Sequence, residues 1–197
     1  MRSQRMEKTD KEFQELKKSI RELIKLDFIT PDEIPGMELY MDQLTRYMDK
    51  HLGSTLRDES DKALTKTMIN NYTKNKLIPP PEKKRYSRKH LILLIYIYYL
   101  KNVVSINDIR RILGPMTEKD FAEDDVFEFY KSIFEMEKLQ YFDTEAAVIK
   151  SSQIVDKKLQ DDEDEYLKKM AFIYLLGYDI FMKKRLMEKL IDELPEE

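Results

Sequence analysis

Residues 64–87 read LTKTMINNYTKNKLIPPPEKKRYS, and the fold turns on how this stretch is divided. Leu64, Met68 and Tyr72 recur at helical spacing on one stripe, while Thr67, Asn70, Asn71 and Lys74 fall on the opposite stripe. The spacing predicts a helix ending near Asn75, with one side for a core and the other for solvent or a partner. Ser60 and Thr65 both carry the side-chain oxygen that an N-cap needs, and the sequence does not choose between them. Pro79, Pro80 and Pro81 end any helix. The following EKKRY, residues 82–86, is short, basic and suited to a tight β-like excursion, after which Ser87 is placed to cap the next helix.

Downstream, a helix is expected over residues 88–101. Its run LILLIYIYYL, residues 91–100, is apolar on almost every side, so neighbours must cover it all round. A short connector leads to INDIRRIL, residues 106–113, where Ile106, Ile109, Ile112 and Leu113 share a face. Gly114-Pro115 is expected to stop that helix. Three further helices are expected, over 118–139, 144–160 and 163–193, the last two separated by DDEDE at 161–165, read as a solvated turn. Upstream, ITPDEIPG at 29–36 must be a loop. Met37, Tyr40, Met41, Leu44, Tyr47, Met48 and Leu52 then mark a helix over 37–52, ending at HLGS. Phe13, Leu16, Ile20, Leu23 and Ile24 mark an amphipathic helix over 8–26. With only four glycines in 197 residues, the fold class is mainly α.

The net charge of -3 hides a lopsided distribution. Residues 62–113 hold 12 basic side chains against two acidic ones, Glu82 and Asp108, whereas 1–61 and 114–197 are both net acidic. A basic middle third suits a polyanionic partner. Asparagine pairs bidentately with adenine, and lysine donates to guanine or phosphate. Thr67, Asn70, Asn71 and Lys74 are therefore candidates for reading bases. Lys66, at the edge of the same face, and Lys83, Lys84, Arg85, Tyr86, Arg88 and Lys89 are candidates for holding phosphates. The same side chains also fit a solvated surface, or a basic loop that docks on the chain's own acidic C-terminal region.

The order NNYTKNKLIPPP, KRYS, an apolar helix and VVSINDIRRIL resembles the DNA-binding domain of MerR-type regulators. The pattern of that family is a recognition helix ending in Tyr, then Gly-Leu-Leu-Pro-Pro, a basic wing and two more helices. Tyr72 matches the helix-ending tyrosine, Leu77, Ile78, Pro79 and Pro80 match the turn, Tyr86-Ser87 match the end of the wing, and Lys84 falls where the family usually carries a phosphate-binding arginine. Asn70 stands where MerR-type proteins usually have arginine, the wing has no glycine, and about 55 residues precede the unit. The strings LYMDQ, residues 39–43, and LTKTMINNY, residues 64–72, are similar to an uncharacterised bacterial family known only as a domain of unknown function. The two resemblances imply a MerR-like winged helix-turn-helix and a transcriptional regulator of double-stranded DNA.

No cysteine and only two histidines, His51 and His90, leave no zinc or thiolate site, and none of GxGxxG, GxxxxGK, HExxH or GxSxG occurs. No catalytic residue, metal ligand or cofactor is expected, and the chain does not read as an enzyme. The N-terminus lacks a secretory signal and the longest apolar run is half a membrane span, so a cytoplasmic protein without membrane contact is expected. The sequence divides into an N-terminal helical lead-in (1–55), a winged helix-turn-helix (56–115) and a C-terminal helical region for assembly or sensing (116–197). The last is dense in aromatic and methionine side chains, which fit a homodimer, an unknown small-molecule effector, or the alternative of a protein-interaction module that does not bind DNA.

Overall fold

The computed structural model describes residues 29–58, 60–117, 121–160 and 164–195, together with Glu15, Lys18, Ser19 and Glu22. The five apolar positions that mark the amphipathic helix expected over 8–26 lie outside the described residues. Among those described, six helices and one two-stranded sheet are formed: β1 (Leu39–Tyr40), α1 (Met41–Leu52), α2 (Lys66–Lys74), β2 (Arg85–Tyr86), α3 (Arg88–Leu100), α4 (Ile106–Thr117), α5 (Glu123–Lys158) and α6 (Glu165–Asp192). The protein is thus mainly helical, as its glycine-poor composition dictates. No helix among the described residues is long and apolar enough to cross a membrane.

Two compact units divide the chain. The first joins Asp27–Glu135 with Lys184–Glu197; the second includes Met136–Lys183. The boundaries drawn near residues 55 and 115 from sequence both fall inside the first unit.

The core of the first unit forms around α3. His90, Leu91, Ile92, Leu93, Leu94, Ile95, Ile97 and Tyr98 are buried, which answers the all-round apolarity of that run. Leu44, Met48 and Leu52 from α1, Ile69 and Tyr72 from α2, Ile109 and Leu113 from α4, and Val126 and Tyr130 from α5 belong to the same cluster. Each buried Leu or Ile contributes about 1.5–3 kcal/mol relative to exposure. Polar ties fix the rest. Tyr130 Oη donates to Ile29 O at 2.5 Å, and Lys101 Nζ donates to Ala63 O at 3.1 Å, holding the segment before α2 to the end of α3.

Four expectations are corrected. The helix expected from residue 37 begins at Met41, because Leu39 and Tyr40 pair with Tyr86 and Arg85 as an antiparallel ladder; a two-residue strand is too short to leave a period. Gly114-Pro115 does not stop α4, which runs on to Thr117. Glycine lacks the Cβ that would collide with the proline ring, so the residue before the proline keeps helical geometry at small cost. The two helices expected over 118–139 and 144–160 are one, α5, since no proline or glycine occurs from 123 to 158. In α2 the buried stripe is centred on Ile69, fully buried, and Met68 is half-buried beside it.

Candidate nucleic-acid interface

The helix α2 is set by both its ends. Thr65, not Ser60, is the N-cap, its Oγ1 accepting from Met68 N at 3.2 Å. At the other end Leu77 N donates to Tyr72 O at 2.9 Å and Lys76 N to Thr73 O at 3.1 Å. This pair of bonds is a Schellman closure, which needs a left-handed residue after the cap, and Lys76 supplies it with φ 58°. Arg110 Nε from α4 donates to Asn75 O at 3.1 Å and pins the same end.

With Ile69 and Tyr72 turned inward, Thr67, Asn70, Asn71 and Lys74 are all exposed. Among the described residues, no side chain of these four has a hydrogen-bond or ion-pair partner. Lys66, on the edge of this face, is engaged: its ammonium pairs with Asp42 of α1 and lowers that carboxyl below its ordinary range.

The basic segment after the prolines is a turn. Arg85 N donates to Glu82 O at 2.8 Å, and the two residues between them have positive φ, 48° at Lys83 and 66° at Lys84. Two left-handed central residues mark a type I′ turn, which glycine and asparagine ordinarily fill. Lys76, Lys83 and Lys84 are the three left-handed non-glycine residues among those described, and all three are exposed lysines. A left-handed L-residue costs roughly 1–2 kcal/mol. Lysine lacks the short polar side chain with which asparagine bonds its own backbone, so nothing local offsets that cost.

The base of the turn is clamped by one imidazole. His90, 6% exposed, accepts from Ser87 N on Nδ1 at 3.0 Å. Its Nε2 therefore carries the proton and donates to Pro79 O, 3.1 Å away. Burial pushes its pKa down, against the opposing influence of the Pro79 and Pro80 carbonyls and Glu123, and a neutral ring fits both bonds. Tyr86 is buried with its ring edge-on to His90, centroids 5.5 Å apart.

The remaining cations of the cluster are partly spent within the protein. Arg85 Nη1 pairs with Glu38 at 3.0 Å. Arg88 lies half-buried with its guanidinium 4.4 Å from the Phe127 ring centre. Lys89 Nζ donates to Phe121 O at 2.8 Å, and burial pulls its pKa down. Lys83 and Lys84 remain exposed, joined by Lys74 and Lys76, without an ion-pair partner among the described residues. Lys76 was not among the candidates read from sequence. The signal for it is the position itself, between the last turn of a helix and the Leu77-Ile78-Pro79 stretch, where a left-handed cap residue falls.

No curated protein and no solved structure matches the chain. A match does exist to the family described as Domain of unknown function (DUF1836), over residues 29–133. That stretch takes in β1, β2 and the helices from α1 to α4 with the start of α5, and it coincides closely with the larger part of the first compact unit. As the match spans more than half of the 197 residues, the chain belongs to the DUF1836 family.

Proposed function

We propose that this protein is a regulator that binds double-stranded DNA as a winged helix-turn-helix, with α2 in the major groove and the turn at residues 82–85 as a wing on the phosphate backbone. The observation that carries the reading is the set of three exposed lysines, Lys76, Lys83 and Lys84, held on strained left-handed backbone just after an exposed polar helix face. Strained residues concentrate where function holds them, and three cations kept at that cost call for an anionic partner. The basic middle third, flanked by acidic segments, supports the same partner.

In this reading Thr67, Asn70, Asn71 and Lys74 meet base edges, since asparagine matches adenine and lysine matches guanine. Lys76, Lys83 and Lys84 neutralise phosphates. Arg85, Arg88, Lys89 and Tyr86 hold the turn in place through Glu38, Phe127, Phe121 and His90, and Lys66 ties α2 to α1 through Asp42. A homodimer reading two half-sites completes the proposal.

Selection of genomic fragments by the purified protein, followed by sequencing of the bound pool, tests it. Enrichment of a few fragments that share a motif is the expected result. A bound pool indistinguishable from the input refutes sequence-specific regulation.

A further inference from the structure

The second compact unit exposes far more apolar surface than a free monomer carries. Between Tyr166 and Met182, nine large apolar side chains of α6 are more than a third exposed. At 150–250 Å² for each aromatic side chain, their open surface is on the order of 1,000 Å². Monomers rarely show contiguous apolar patches beyond a few hundred Å², and a standard interface takes about 800 Å² from each partner.

Within this surface Leu167, Met170, Tyr174, Gly177 and Phe181 repeat at alternating spacings of three and four, the seam along which helices pair. Tyr174 is the most open at 72%. Nothing stands within 4 Å of where a Cβ on Gly177 would lie, and Tyr174, Gly177, Tyr178 and Phe181 line an open groove of about 480 Å³.

We infer that this seam of α6 pairs with the same seam of a second copy of the chain, antiparallel and centred on Tyr174. The charges along the sequence choose the partner and the register. The apolar stretch is bounded by the acidic run at 161–165 on one side and by Lys183-Lys184-Arg185 on the other. Two copies laid antiparallel about residue 174 bring Asp164 level with Lys184 and Lys169 level with Asp179, so opposite charges meet at each end. The same register sets Leu167 level with Phe181 and Met170 level with Tyr178. Parallel copies would set like charges side by side. Lys183, Lys184 and Arg185 now pair with Asp179 and Glu188 on their own helix; such exposed pairs are worth a few tenths of a kcal/mol and exchange at little cost. This inference supplies an interface for the homodimer proposed above, and the apolar surface and charges that carry it would stand without DNA binding.

Sedimentation velocity on the full-length protein over a range of concentrations reads the association, and the absence of native cysteine makes single-cysteine cross-linking direct. The expected result is a dimer at micromolar concentration that reverts to monomer in Tyr174→Glu and weakens in Lys183→Glu/Lys184→Glu/Arg185→Glu, with the helical circular dichroism unchanged. A short bismaleimide should join Tyr174→Cys to itself. It should not join Leu167→Cys to itself, because self-partners seven residues from the centre lie about 21 Å apart along the helix, yet it should join Leu167→Cys to Phe181→Cys in a mixture. A monomer at every concentration, a dimer that survives Tyr174→Glu, or self-cross-linking of Leu167→Cys equal to that of Tyr174→Cys would overturn the inference.

Discussion

Replacing Lys83 and Lys84 together by glycine should make the protein more stable and its DNA binding weaker. Each lysine has positive φ, at roughly 1–2 kcal/mol per residue. Glycine removes that strain but enlarges the unfolded ensemble by about 0.4–1 kcal/mol. The net gain is about 0.5–1 kcal/mol per position, or about 1–2 kcal/mol for the pair, equivalent to a rise in Tm of about 3–6 °C for a chain of this size. Thermal and urea unfolding followed by circular dichroism measure it. The same double variant, titrated against labelled duplex, should lose about 1.8 units of salt slope, at about 0.9 per phosphate contact. Lys83→Ala/Lys84→Ala separates the two effects, since alanine keeps the strain and loses the charge: its binding should fall as far while its stability does not rise. Glycine variants that unfold earlier than the parent would refute the strain argument, and glycine variants that bind DNA as well as the parent would refute the role given to the charges.

Three other outcomes are expected. His90 has a depressed pKa in the folded protein, so the unfolded chain takes up its proton first as pH falls below the ordinary 6.5; stability should be full well above that pH and decline as pH falls below it, as read by urea midpoints on either side. His90→Gln, whose amide can accept from Ser87 N and donate to Pro79 O, should remove that decline, whereas His90→Ala should be destabilised at both pH values. Asn70→Ala should cost about 1–3 kcal/mol on the preferred DNA site and nothing on random duplex; equal losses on both would remove Asn70 from base reading. Leu93→Ala, at a fully buried position of α3, should cost about 2–5 kcal/mol in urea unfolding with no change in salt slope.

The residues that made the fold legible are those whose physics is local. Pro79 to Pro81, Thr65 or Ser60 as caps, and the unbroken apolar run of α3 each constrain a few neighbours, and the structure places a helix boundary or a core there. What escaped depends on distant or very short partners. β1 exists because Leu39 and Tyr40 find Tyr86 and Arg85 forty-odd residues later, and no period within the sequence announces that. The single helix α5 reads as two in the sequence, although no proline or glycine breaks it. In the candidate interface, the exposed face of α2 followed from spacing, but the internal use of cations did not. Arg88 and Lys89 look equivalent to Lys83 and Lys84 in a charge count, and only Phe127 and Phe121 show that they are engaged elsewhere. Lys76 shows the reverse case, a lysine set apart only by its backbone angle.

The central claim is most directly tested by titrating the purified protein against random-sequence duplex DNA at a series of salt concentrations. With Lys76, Lys83 and Lys84 on phosphates, the plot of log K against log salt should have a slope of about -2.7 per bound protomer, and the variant with all three changed to glutamine should be nearly flat. No binding at the lowest salt, or a slope that the triple variant leaves unchanged, would contradict the account.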